Sequence, residues 1–287
     1  MRYRSYEDLA DCIRRNLWRV PSDVELIVGI PRSGMIPALM LAELLNKRCA
    51  DLDAFIEGRQ MSCGGRQRLM RGSGQGRVLV LDDTVFFGTA MRKARERLAP
   101  LADRYDLLFG CIYAEGMNAK QMVDIYFEDI YRAGEKTWLY EWNVLHHYAK
   151  KTQASMWDVD GLLCKDPPDD RNTEAYERYL PEAIPMIIPT TKVGALVTYR
   201  LERYRNVTEE WLRAQGVEYG HLMMFNAPDR DTRNRMLSPA RYKAQIYGTT
   251  AWAGLFVESS ELQAVRIHQL TGKPVFCYEN GRMYKNG

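Results

Sequence analysis

The sequence predicts an α/β protein built from two open parallel-sheet domains in tandem. Two patterns predict this: short apolar runs alternate with segments of helical period, and the alternation lapses near residue 150 and then starts afresh. Length agrees, since 287 residues, 46% of them hydrophobic, suffice for two cores of ordinary size.

In the first half, residues 25–30 (ELIVGI) read as a strand and residues 35–45 as the helix after it. Residues 77–83 (RVLVLDD) form the next strand, followed by a helix over 90–98, and residues 106–115 (DLLFGCIYAE) form a third strand. Their near-continuous apolar character marks strands buried on both faces, as parallel sheets require. The polar stretch AKKTQ over 149–153 is the seam, giving domains 1–150 and 151–287. Beyond it, ASMWDVDG (154–161), KVGALVT (192–198) and AGLFVES (253–259) read as strands, with helices over 202–215 and 261–270.

Composition excludes several classes. The net charge of +3, from 40 basic and 37 acidic residues, leaves no global field of the kind that marks a nucleic-acid binder, so any phosphate recognition must be local. The first twenty residues carry dispersed charge and no apolar segment, and no stretch is apolar enough to span a bilayer. Six cysteines without CxxC spacing suggest neither a disulfide framework nor a thiolate zinc site, so the expected compartment is the cytoplasm.

Candidate chemistry in the first half centres on Asp82 and Asp83, which follow the apolar run 78–81 and precede Thr84, Phe86, Phe87, Gly88 and Thr89. In an open α/β sheet, ligands bind beyond the carboxyl ends of strands, and the amides of the turn and of the helix start face any bound anion. The turn would hold phosphate, while the paired acids would accept hydrogen bonds from ribose hydroxyls or stabilise a cationic sugar centre. The run VLVLDDTVFFGTAM resembles the phosphoribosyl-diphosphate (PRPP) loop of type I phosphoribosyltransferases, and ELIVGIPRSGMIPALML, with Arg32, Ser33 and Gly34, is similar to that family's pyrophosphate loop. Between them, residues 57–77 hold six glycines and five arginines, among them Arg59, Arg66 and Arg68, where the family carries a mobile catalytic loop that closes over pyrophosphate. Phe86 and Phe87 stand where the family usually has hydroxyl side chains for the 5-phosphate.

Candidate chemistry in the second half begins at Asp158 and Asp160, two residues apart and so expected to point the same way from a strand end. Paired carboxylates can share Mg²⁺; Asp158 would accept a phosphoryl group, and Asp160 would protonate the leaving oxygen and then activate water. The half resembles the haloacid-dehalogenase phosphatases, a resemblance carried by DVDG, by Thr198 at the end of GALVT, by Lys243 in SPARYKAQ and by Glu258 at the end of GLFVE. It implies that Thr198 binds the phosphoryl group, that Lys243 balances charge, and that Asp158, Asp160 and Glu258 hold Mg²⁺. Ser259 follows Glu258 where a second acid is common, and Glu261 is the nearby substitute. Only 33 residues separate Asp160 from Gly194 and 44 separate Thr198 from Lys243, too few for an inserted cap once the core elements are counted.

The combined expectation is two Rossmann-like domains, a phosphoribosyltransferase fold and then a capless phosphatase fold. The pairing resembles bifunctional enzymes that install ribofuranose in bacterial surface polysaccharides, which implies PRPP as donor, a glycan or lipid-linked glycan hydroxyl as acceptor, and loss of the 5-phosphate. Two other readings stay open: a nucleobase or specialised-metabolite acceptor with a nucleotide phosphatase, and a non-catalytic PRPP sensor governing the phosphatase. Acceptor contacts are expected from the cluster Trp138, Tyr140, Glu141, Trp142, His146 and His147, with Glu141 as a candidate base.

Overall fold

The computed structural model describes residues 2–59, 76–131, 138–146, 149–168 and 173–286. The chain forms two compact units, residues 2–137 and residues 138–287. The seam expected near 150 is displaced toward the N-terminus, because residues 138–146 pack with the second unit: the Glu141 carboxylate fills the space a side chain at Gly281 would need.

In the first unit, β1 (Val24–Gly29), β2 (Arg48–Asp51), β3 (Arg77–Val85), β4 (Leu107–Ala114) and β5 (Ile125–Asp129) form a parallel sheet in the order β2-β1-β3-β4-β5. Helices α1 (Tyr6–Asn16), α2 (Met35–Leu45), α3 (Leu52–Ile56), α4 (Thr89–Leu98) and α5 (Met117–Gln121) accompany it. Val78, Leu79, Val80 and Leu81 are all buried in β3. Each such side chain contributes about 1.5–3 kcal/mol on leaving water, which is why an uninterrupted apolar run forms the central strand. Helix α1 begins in a capping box the sequence reading passed over: Ser5 Oγ accepts from the Asp8 amide at 3.0 Å, and Asp8 accepts from the Ser5 amide at 2.8 Å.

In the second unit, β6 (Ser155–Trp157), β7 (Val193–Leu201), β8 (Tyr219–Phe225), β9 (Leu255–Glu258), β10 (Val275–Cys277) and β11 (Arg282–Tyr284) form a sheet in the order β8-β7-β6-β9-β10-β11, with β11 antiparallel to β10. Its helices are α6 (Thr173–Glu182), α7 (Arg205–Ala214), α8 (Arg230–Met236), α9 (Pro239–Thr249) and α10 (Glu261–Thr271). Between Asp160 and Lys243 the described residues are spent on α6, α7, α8, strands and loops of this layer. Among the described residues, no helix is long and apolar enough to cross a membrane.

Both sheets reverse their winding once. In the first unit the chain passes from β1 outward to β2, then returns to place β3 on the other side of β1. In the second it winds β6 to β7 to β8, then returns to place β9 on the other side of β6. Neighbouring loops diverge at such a switch point and open a crevice at the carboxyl ends of the two strands. In the first unit the crevice is bordered by residues 30–34 and 86–88, and in the second by the segments after Trp157 and after Glu258.

Candidate functional site

In the first unit, the two loops are fastened together by backbone. The Ile30 amide donates to the Leu81 carbonyl at 2.9 Å, and Gly34 lies so close that a β-carbon there would come within 2.6 Å of the Ile30 oxygen and 2.8 Å of the Leu81 oxygen. Only glycine permits that approach, which brings the Arg32, Ser33 and Gly34 loop against Asp82. The Pro31–Arg32 peptide is cis.

The strand does not end at Asp82 and Asp83, as the sequence suggested. Strand β3 runs on to Val85, with Asp82, Thr84 and Val85 opposite Cys111, Tyr113 and Ala114 of β4. The pairing with β1 ends at Gly29 opposite Leu81, so the acids sit where β3 outruns its neighbour and one edge of the strand faces the crevice. Both are buried, and Asp82 accepts from the Asp83 amide at 2.9 Å. Burial, reinforced by the charge on Asp83, pushes the Asp82 carboxyl well above its usual range. The pair therefore holds a proton more readily than separate carboxylates do. Thr84 Oγ1 is buried with no hydrogen-bond partner among the described residues.

The turn that follows contains Phe86 and Phe87, 46% and 72% exposed, with ring centroids 4.0 Å apart. Gly88 has φ of +67° and caps α4 without a side-chain hydrogen bond, so the first amides of α4 are available to an anion. Thr89 Oγ1 accepts a long contact from Arg92 at 3.5 Å. Arg59 is exposed and paired with Glu57 through its Nε at 2.9 Å. Arg66 and Arg68 lie outside the described residues.

In the second unit, Asp158 directly follows β6 at the switch point. Its Oδ2 is 2.7 Å from Lys243 Nζ and accepts from Ser259 Oγ at 3.0 Å; the same ammonium is 2.8 Å from Glu258 Oε2 and donates to Gln263 Oε1 at 3.1 Å. Asp158, Lys243 and Glu258 are all buried. Burial and the neighbouring Glu258 charge raise the Asp158 carboxyl well above its ordinary value. Burial opposes the charge on Lys243, but Asp158 and Glu258 outweigh it and hold the ammonium above its usual range.

Asp160 departs from expectation. Strand β6 ends at Trp157, so strand alternation does not carry through to Asp160 and the two acids part company. Asp160 is gripped by Arg200, with Nη2 at 2.6 Å and Nε at 3.1 Å, and it also accepts from Tyr179 at 3.2 Å. Burial would raise its carboxyl, but the fully buried Arg200 guanidinium prevails and holds it below the ordinary range. Asp160 thus faces Arg200 while Asp158 and Glu258 face Lys243, and no group of three His, Cys, Asp or Glu side chains converges among the described residues. The remaining set still fits Mg²⁺. Two buried carboxylates facing one ammonium leave an excess negative charge, and Mg²⁺ commonly takes one or two carboxylates and keeps waters.

Thr198 is fully buried within β7 rather than at its end, and its Oγ1 accepts from the Arg200 amide at 3.2 Å. Sequence reasoning missed Arg200, Tyr179, Ser259 as a partner of Asp158, and Asp166. Alternation along β7 could have found Arg200, two residues past Thr198 on the same face. Asp166 lies beside Gly161 with Ser259, and its carboxyl is raised by burial and then by Asp160. Tyr140 and Trp142 stack at 4.9 Å, and Glu141 lies against Gly281, so Glu141 of this cluster sits against the second unit. His147 falls outside the described residues, as does the side chain of Trp138.

No family model matches the chain. Among solved structures, it is similar to a xanthine-guanine-hypoxanthine phosphoribosyltransferase of Helicobacter pylori, at 15% identity over 50% of this chain and 92% of that one, with a TM-score of 0.35. A purine phosphoribosyltransferase from Pyrococcus horikoshii matches at 18% over 49% and 92%, TM-score 0.32. An orotate phosphoribosyltransferase from Aeropyrum pernix matches at 20% over 42% and 67%, TM-score 0.31.

Proposed function

We propose that the first unit transfers a 5-phosphoribosyl group from PRPP to a carbohydrate hydroxyl and that the second removes the 5-phosphate, leaving a ribofuranosyl product. The observation that carries the reading is that each unit places an acid-bearing strand end in the crevice at its own switch point. One crevice joins Asp82 and Asp83 to the Gly34 loop; the other joins Asp158 to Lys243 and Glu258.

In the transfer step, the C1–oxygen bond to pyrophosphate breaks and the acceptor oxygen bonds to C1, its proton passing to solvent or a base. The amides around residues 32–34 and the start of α4 bind the two phosphate ends, with Thr84 and Thr89 adding hydroxyls. Asp82 and Asp83 hold the ribose hydroxyls and stabilise the cationic sugar centre.

In the hydrolytic step, a carboxylate oxygen of Asp158 attacks phosphorus and the ribose 5-oxygen leaves with a proton; water then cleaves the phosphoaspartyl group and releases phosphate. Lys243 balances the charge gathered on Asp158 and the phosphoryl oxygens. Asp158 and Glu258 would hold Mg²⁺, which when bound neutralises phosphate charge. Arg200 keeps Asp160 ionised, which suits it to take a proton from the attacking water. In the earlier departure the 5-oxygen takes its proton from solvent, and Asp166, beside Gly161 and Ser259, borders the site.

The test is incubation of the full chain with PRPP, Mg²⁺ and either glycans or nucleobases, following pyrophosphate and phosphate. The reading requires both ions to appear only with a glycan. Release with bases alone would move the acceptor to the nucleobase class, and release of neither would sink the transfer step.

A further inference from the structure

The second unit contains a cavity of about 350 Å³ at the carboxyl edge of its sheet. Its lining includes Tyr176 on α6, Arg203 and Tyr204 just after β7, and Asp229, Arg230 and Asp231 at the start of α8. Shared elements tie it to the Asp158 crevice. Strand β7 carries both Thr198 and the cavity residue Leu201, and α6 carries both Tyr176 and the Tyr179 whose hydroxyl reaches Asp160 at 3.2 Å.

The lining selects among ligand classes. Tyr176 and Tyr204 meet edge to face at 5.4 Å, nearly buried at the base of the cavity. Arg203 stacks 4.7 Å over the Tyr204 ring and donates to its hydroxyl at 2.6 Å, while Arg230 lies 3.5 Å from Asp231. An apolar ligand would meet five charged side chains, Arg233 among them, and strip water from the exposed ones at a cost of several kcal/mol, which its contact with two nearly buried rings would not offset. A phosphate would meet Asp229 and Asp231 as well as the arginines. Vicinal hydroxyls suit both signs at once, since each donates to a carboxylate and accepts from a guanidinium. The volume falls at the small end of ordinary ligand pockets, as a short saccharide needs.

We infer that this cavity is a saccharide subsite, which holds the acceptor sugar while its phosphoribosyl arm reaches Asp158. The purpose assigned to it rests on the function proposed above; the binding itself does not. Saturation-transfer NMR on the full chain tests it, using galactose and N-acetylglucosamine in one arm and inorganic phosphate as competitor in another. Arg203→Ala and Asp231→Ala both alter exposed side chains, and circular dichroism checks that each variant is folded. The expected result is a transfer signal from at least one sugar, unaffected by phosphate, with the apparent Kd raised about tenfold or more in both variants. No sugar signal, a signal indifferent to both substitutions, or displacement by phosphate overturns the subsite. Hydrolysis of p-nitrophenyl phosphate by the unsubstituted chain, measured alongside, separates the two claims. Sugar binding without hydrolysis keeps the subsite and rejects the phosphatase; hydrolysis without sugar binding does the reverse.

Discussion

At the scale of single residues, the second unit concentrates its electrostatics in two buried arrangements that behave differently. Lys243 serves two carboxylates, so Lys243→Ala leaves Asp158 and Glu258 facing each other without a cation. Breaking such a buried arrangement costs about 3–5 kcal/mol. The expected outcome is a large fall in the denaturant midpoint of the second unit, partly restored by Mg²⁺, and no phosphate release. Asp160 and Arg200 set a pH dependence. The folded carboxyl lies below its ordinary value of 3.8, so its contribution is complete above that value and is lost as pH falls through the depressed folded value. Acid titration of unfolding should therefore show a limb below about pH 4 that Asp160→Asn lacks. An unchanged limb in that variant would remove Asp160 as its source.

Among elements, the loops at the first switch point hold by backbone contact. A methyl group at Gly34 has oxygen within 2.8 Å on two sides, and neither neighbour is a flexible side chain. Gly34→Ala should push the loop away from Asp82 and abolish pyrophosphate release, while hydrolysis of p-nitrophenyl phosphate by the second unit continues. The turn before α4 offers the opposite experiment. Phe86 and Phe87 are exposed, so replacing them with Ser and Thr removes no core packing and adds hydroxyls beside the amides of α4. One further hydrogen bond to a charged phosphate is worth about 1.5–3 kcal/mol, so PRPP affinity by calorimetry should rise roughly tenfold or more. Weaker binding would show that the aromatic pair itself contacts the ligand.

For the whole molecule, two separate sheets predict separable chemistry. Asp83→Asn should suppress pyrophosphate release and spare hydrolysis of simple phosphate esters; Asp158→Asn should block phosphate release and let a phosphoribosylated product accumulate, visible by mass spectrometry. Loss of both activities in both variants would contradict two independent sites. The α/β class, the central strands and the identities of Asp82, Asp158, Lys243 and Glu258 as candidates were legible from apolar runs and short motifs, because those patterns express local burial and chain direction. Pairings that join distant segments were not legible. Nothing local reveals that Arg200 grips Asp160, that Gly34 lies on Leu81 and Asp82, or that residues 138–146 pack with the second unit. Strand β3 runs past the acids, because the ladder with β4 carries it to Val85. The sequence by itself thus determined which side chains can do chemistry and roughly where along each strand they fall. Tertiary structure alone decided their partners and charge states, because a buried carboxyl takes its proton affinity from whichever cation or anion the fold brings within a few ångströms of it.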